Sequence, residues 1–224
     1  MWYWPRRAPG LPPGQRLLQT MPRFADNPLR PPPATAGPRL EVTRAGATVA
    51  VLTATDLDTL EPREHRADFH CVTTWSATGL VWTGVPLREV LASVGITAAT
   101  APYLVARGAD GYRAVFVWAD ATAPDVIVAT GLDGSVLDAR HGAPLRLVSP
   151  SQYGYKSVKH LVRLDLHADQ PRVAAKEHLR ARAAASERHP KLPAWLVTWP
   201  YRVLIPPTAR LAEWSLRRGR TGSR

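Results

Sequence analysis

With only one cysteine in 224 residues, Cys71, the chain excludes more by what it lacks than by any residue it has. Without a second thiol it can form no internal disulfide and no cysteine-rich zinc site. It also has no cysteine set for an iron–sulfur cluster and no Cys-x-x-Cys-His for haem attachment. A disulfide-dependent secreted fold is excluded with them. No apolar run approaches the length needed to span a bilayer. Arg6-Arg7 is half of a twin-arginine signal, but Pro9, Pro12 and Pro13 follow where an apolar segment would be required. The expectation is a cytoplasmic protein, peripheral at a membrane at most. No internal repeat is present.

Positive charge is missing from the middle of the chain, although the whole carries +11. Residues 1–40 hold six Lys/Arg against one acid, and residues 171–224 hold twelve against three. Between them, residues 41–170 hold eleven against fourteen. A nucleic-acid domain concentrates its cations on a folded face, so no specific nucleic acid is expected. The basic ends suit an acidic partner, a partner protein or an anionic membrane face, or simply keep the chain soluble.

The 22 prolines imply long irregular connections. The segmentation reads as a Pro-rich arm over 1–37, a domain over 38–170 and a basic extension over 171–224. Leu40–Thr43 and Thr48–Thr53 flank Ala45-Gly46 as a hairpin. Asp56–Leu60 reads as a capped helical turn closed by Pro62. Arg66–Thr74 reads as a strand carrying Cys71, with Thr78-Gly79 turning the chain into a strand over Leu80–Val85. Pro86 opens a short helix that Gly95 ends. Tyr103–Ala106 and Tyr112–Trp118 flank Asp110-Gly111, a second hairpin. Val126–Ala129, Leu145–Val148 and Leu161–Leu166 are further strands, with a turn at Asp133-Gly134. Many short strands and few helices make an α+β domain rather than a dinucleotide-binding one. In the extension, Val173–Arg188 and Thr208–Arg218 read as helices around an aromatic stretch, Leu192–Ile205.

A solitary cysteine is most often inert core filling. The residues around this one point elsewhere. His70-Cys71-Val72-Thr73-Thr74-Trp75-Ser76 is followed by Trp82-x-Gly84-x-x-Leu87, then by His141-Gly142-Ala143-Pro144-Leu145-Arg146, then by Gly154-Tyr155-Lys156-Ser157-Val158-Lys159. In this order the four segments resemble the oxidoreductase molybdopterin-binding domain shared by sulfite oxidases and bacterial sulfoxide-reductase catalytic subunits. The resemblance covers about residues 11–168 and implies the sulfite-oxidase-type fold of mixed sheets with few short helices.

The resemblance implies a Mo-molybdopterin cofactor with Cys71 as the one protein ligand to the metal. A thiolate suits such a metal, and a pterin dithiolene supplies the remaining sulfur, so one cysteine suffices. Asn27, His141, Arg146, Ser157, Val158 and Lys159 fall on pterin-contact positions. His141 matches the sulfite-oxidase form of its position, where sulfoxide reductases have Asn. His160 stands where relatives have Trp. The turn at Tyr155-Lys156 offers backbone N–H groups to an anion, unless its lysines form a solvated face. Arg107 and Arg113 are substrate candidates by position, and Tyr153 is a hydrogen-bond donor toward the reacting oxygen. His70 reads as structural.

Thr73, Thr74 and Trp75 stand where sulfite oxidases add arginines. An uncharged, aromatic approach suits a neutral S- or N-oxide better than a dianion. The function expected is therefore two-electron oxygen-atom transfer, in the direction of reduction, from a small-molecule oxo-donor. Electrons come from a separate, membrane-associated or soluble protein. Sulfite-type oxidation and a non-catalytic pterin-binding module are the alternatives, with a tail-driven nucleic-acid or membrane-surface protein behind them.

Overall fold

A computed structural model describes residues 10–12, 15–18, 21–22, 37–72, 75–96, 101–172, 203 and 207. The two helices and the aromatic stretch expected in the extension lie outside these residues, as does Asn27.

Two sheets carry the fold. In the first, β2 (Arg39–Arg44) and β3 (Ala47–Thr53) form the expected hairpin, with Ala45 and Gly46 both at positive φ, 50° and 81°. Its other strands are β6 (Tyr103–Gly108), β7 (Arg113–Val117) and β11 (Leu161–His167), in the order β3-β2-β11-β6-β7. The pair β11–β2 is parallel and the others are antiparallel, so the sheet is mixed. Trp118 does not continue β7; it opens α3 (Trp118–Ala121).

The second sheet runs β1-β5-β8-β10, with β4 added to β5 and β9 to β8. Its strands are β1 (Arg16–Leu17), β4 (Arg63–Cys71), β5 (Trp75–Pro86), β8 (Ile127–Leu132), β9 (Ser135–Val136) and β10 (Arg146–Val148). Thus the Pro-rich arm contributes a strand, which its composition does not announce. The Thr78-Gly79 turn is a correction. Cys71 pairs with Trp75, so the chain reverses directly after Cys71, and β5 runs through Thr78 and Gly79. The β4–β5 register shifts between Ala67 and Phe69, and Gly79, at φ +69°, donates its N–H to Asp68 Oδ1 at 2.9 Å. The turn residues are accommodated as an irregularity within the ladder.

Helices are short. In α1 (Ala54–Asp58) Thr53 and Asp56 form a reciprocal capping box. In α2 (Leu87–Ser93) Leu87, Val90 and Leu91 are wholly buried, at roughly 1.5–3 kcal/mol each. These side chains join a core built with Leu40, Leu104, Phe116, Leu145 and Leu164. A second apolar cluster joins Phe69, Cys71, Trp75, Trp82, Ile127 and Val148. The reading of an α+β fold of mixed sheets holds. No helix among the described residues is long and apolar enough to cross a membrane.

Candidate functional site

Cys71 ends β4 at 6% exposure, inside the second cluster yet lining a cleft. Pairing across the strand fixes its place. Trp75 faces Cys71, and the Trp75 ring stacks on Phe69, two residues earlier, with centroids 5.7 Å apart and planes 22° apart. Gln15, from the arm, donates Nε2–H to the Cys71 carbonyl at 2.9 Å. The cysteine is thereby held by three separate segments.

The cleft encloses about 620 Å³, including its open mouth. Phe69, Cys71, Val72 and Trp75 line it from β4–β5, Met21 and Pro22 from the arm, and Asp110 and Tyr112 from the β6–β7 hairpin. Arg146, Gly154, Tyr155, Ser157 and Lys159 complete the wall.

The last two motif segments fold onto each other to present these cations. Asp138 accepts the backbone N–H groups of His141, Gly142 and Ala143 on its carbonyl, which coils the chain back on itself. Arg146, 2% exposed, donates Nη1–H to the His141 carbonyl at 3.0 Å, and its guanidinium lies 4.9 Å from the Phe69 ring centroid and 5.3 Å from that of Trp82. Lys159, 8% exposed, donates from Nζ to the Arg140 carbonyl at 2.8 Å. Gly142 has to be glycine, because at φ +104° a Cβ would lie 2.9 Å from the Lys159 backbone. Gly154 is pressed as closely: a Cβ there would meet the Phe69 ring at 2.5 Å. Gly154→Ala is accordingly expected to cost about 1–3 kcal/mol of overpacking, read as a lower denaturation midpoint. The displaced Phe69 would also disturb the Trp75 stack beside Cys71.

The structure brings four of the expected residues to the cleft: Cys71, Arg146, Ser157 and Lys159. Ser157 Oγ accepts the Ser149 N–H at 3.1 Å. Val158 is fully buried in the main core, with its carbonyl accepting the Leu147 N–H. Tyr153 is buried and does not line the cleft; Tyr155 does. Arg107 is turned away on the first sheet, where its guanidinium pairs with Asp165. Arg113 likewise donates to the Arg172 carbonyl at 3.1 Å. At the turn expected as an anion nest, the 3₁₀ turn Gly154–Lys156 uses the N–H groups of Lys156 and Ser157 internally, on the Tyr153 and Gly154 carbonyls. Nor is Lys156 solvated. It is fully buried, with Nζ donating to the Val115 carbonyl and lying 5.0 Å from the Phe116 ring centroid. His160 is buried at φ +50°, with Nδ1 2.7 Å from the Ala143 carbonyl.

His70 points away and shares a hydrogen bond of 2.8 Å between Nδ1 and Ser76 Oγ; burial lowers its pKa. His141 stands behind the cleft, with Nε2 3.2 Å from the Met21 carbonyl, and so ties the arm to the motif turn. Burial, then the neighbouring Arg146, pushes its pKa down to about 4, against the pull of Asp138. Folded protein thus keeps His141 neutral where the unfolded chain takes up a proton. Stability is full above the ordinary value of 6.5 and falls as pH drops from there toward about 4. The expected loss is about 3 kcal/mol over that window, measurable by denaturant titration, and His141→Asn should remove this contribution to the pH dependence.

Asp110, Tyr112 and Tyr155 were not legible as cleft residues. Asp110-Gly111 marks a hairpin, but nothing local says that its tip joins the cleft of Cys71. It does so with Gly108 lying against Lys159, where a Cβ would come within 2.5 Å of the Lys159 carbonyl oxygen.

The residues fit the expected cofactor. A protein thiol and two buried cations share one cleft. No group of three or more His, Cys, Asp or Glu side chains stands ready for a metal among the described residues. A metal at Cys71 therefore takes most of its ligands from a bound group, as a pterin dithiolene provides.

Comparison with known proteins agrees. The family described as the oxidoreductase molybdopterin binding domain matches residues 31–174. The protein-methionine-sulfoxide reductase catalytic subunit of Pseudomonas syringae pv. tomato is 36% identical over 141 residues, covering 53% of this chain and 41% of the relative. That of Xanthomonas campestris pv. campestris is 36% identical over 118 residues, covering 46% and 36%. The chain thus spans less than half the length of these relatives. Among solved structures, the sulfane dehydrogenase SoxCD of Paracoccus pantotrophus superposes with a TM-score of 0.52 at 24% identity, over 59% of this chain and 38% of that one, which supports the fold.

Proposed function

Because this chain belongs to the oxidoreductase molybdopterin-binding domain family, we propose that it is a molybdenum–pterin reductase of S-oxides, with N-oxides as kindred substrates. The observation carrying this reading is the single cleft that holds Cys71, the two buried cations and an aromatic wall. Cys71 would hold the metal, and Arg146 and Lys159 would hold the anionic part of the pterin, with Ser157 beside them. The cofactor supplies two-electron oxygen-atom transfer, and the overall change converts an S-oxide, two electrons and two protons into a sulfide and water.

The chain's own part is binding, orientation and exclusion of water. Phe69, Trp75, Tyr112 and Tyr155 offer apolar faces to the substrate's organic groups. Tyr112 keeps its hydroxyl proton on the Tyr155 carbonyl at 2.6 Å, so it acts as wall rather than as acid. Tyr155, which lines the cleft where Tyr153 does not, is the better candidate for the tyrosine at the reacting oxygen. Met21 and Pro22 narrow the mouth. Electrons would come from outside these 224 residues, since their one cysteine leaves no site for a second redox centre of the iron–sulfur or c-type haem kind. The relatives named as methionine-sulfoxide reductases favour a sulfoxide over other oxides.

The test is turnover of holoprotein with a reduced viologen dye as donor. Dimethyl sulfoxide and methionine sulfoxide should be reduced to sulfide and sulfite should not be oxidised. Sulfite oxidation without sulfoxide reduction would reverse the reading.

A further inference from the structure

The cleft carries its charges in two tiers. Arg146 and Lys159 form the lower tier, nearly buried and tied to the carbonyls of His141 and Arg140. Asp110 forms the upper one, exposed at the tip of the β6–β7 hairpin. It is the one carboxylate among the described residues that line the cleft, and it makes no ion pair with them.

Turn chemistry accounts for the shape of this side chain but not for its charge. Asp110 Oδ1 accepts the Tyr112 N–H at 3.0 Å and closes the Asp-Gly turn. An asparagine oxygen accepts that bond equally well, and Asn-Gly serves such turns as readily. The hairpin's two cations do not reach the mouth to offset the charge. Arg107 is paired with Asp165, and Arg113 is bound to the Arg172 carbonyl. The cations below would hold the anionic part of a bound pterin, which would offset their charge. Among the described residues, what an incoming molecule would then meet at the entrance is an aromatic wall and one negative charge.

We propose that Asp110 sets the charge selectivity of this cleft, turning away anionic oxo-compounds and leaving neutral or cationic S-oxides unopposed. The inference rests on the S-oxide reading above and names the substrate class within it. Rejection at the entrance separates substrates that contacts in an apolar pocket separate poorly. A dianion is repelled twice as strongly as a monoanion, while a sulfoxide presents only a dipole. Because Asp110 is exposed, the effect is screened by salt within about 10 Å at 0.1 M ionic strength.

Purified holoprotein and its Asp110→Asn variant should be titrated with inorganic sulfate, a dianion that does not react, by calorimetry. At about 20 mM ionic strength the variant is expected to bind sulfate about three- to tenfold more tightly. At about 0.3 M the difference should shrink below about twofold. The melting temperature should not move, since Asn keeps the bond to Tyr112. Equal sulfate affinity at low salt, or a gain that salt leaves untouched, would overturn the assignment. Calorimetry on holoprotein needs no turnover, so the outcome is readable even if sulfoxide reduction fails. A positive sulfate result without sulfoxide turnover would sink the S-oxide reading and leave the electrostatic role of Asp110 standing.

Discussion

Cys71→Ser is expected to abolish sulfoxide turnover, by more than about a thousandfold, while leaving the protein folded. Losses of that size are seen when one member of a catalytic unit is removed. The substitution is nearly isosteric, and Cys71 holds its place through backbone pairing with Trp75 and the Gln15 bond to its carbonyl, neither of which needs sulfur. A serine hydroxyl in the same spot is far less acidic than a thiol and supplies no thiolate sulfur to the metal. Circular dichroism and the melting temperature should therefore match the parent within a few degrees. Were Cys71 a filler of the second core cluster alone, the variant would lose stability and keep activity, which is the opposite pattern.

The second large effect is expected at Arg146, with a different signature. Its guanidinium lies over two aromatic rings and bonds one carbonyl in a nearly sealed place. Replacing a buried charge with an apolar chain of similar length is often close to neutral for stability, because the cost of desolvating the charge disappears with it. Arg146→Met should therefore shift apo-protein stability by no more than about 1–2 kcal/mol. Cofactor retention should suffer far more. A lost charge-assisted hydrogen bond to an anionic group is worth about 1.5–3 kcal/mol, or roughly ten- to a hundredfold in affinity. Fluorescent pterin released per chain, after gel filtration, measures this directly. Retention equal to the parent would place the pterin's anionic end elsewhere.

Different parts of this site were legible for different reasons. Cys71, Arg146, Ser157 and Lys159 sit in contiguous motif strings, where spacing along the chain is itself the signal, and all four reach the cleft. Residues brought in by sheet register were not. Arg107 looks available in the sequence, but β11 places Asp165 beside β6 and takes up its guanidinium. Tyr153 and Tyr155 are only two residues apart, yet the tight rotation of a 3₁₀ turn sends them to different faces. The Thr78-Gly79 signal was outweighed by pairing: Phe69, His70 and Cys71 gain partners in Ala77, Ser76 and Trp75 only if the chain turns earlier. Hairpins with an Asp-Gly or Ala-Gly centre were readable because their turn chemistry is local. Where the hairpin tip lands, and hence Asp110, depends on packing more than forty residues away, against Lys159.

Metal content is the most direct test of the central claim that Cys71 anchors a pterin-bound metal. Wild-type and Cys71→Ser proteins should be expressed together in a host that makes the cofactor, then analysed for molybdenum and for the thiolate-to-metal absorption band. The account predicts close to one molybdenum per chain and a visible band in the wild type, with the band absent and the metal strongly depleted in the variant. Wild-type protein free of molybdenum, or a variant that keeps both metal and band, would contradict it.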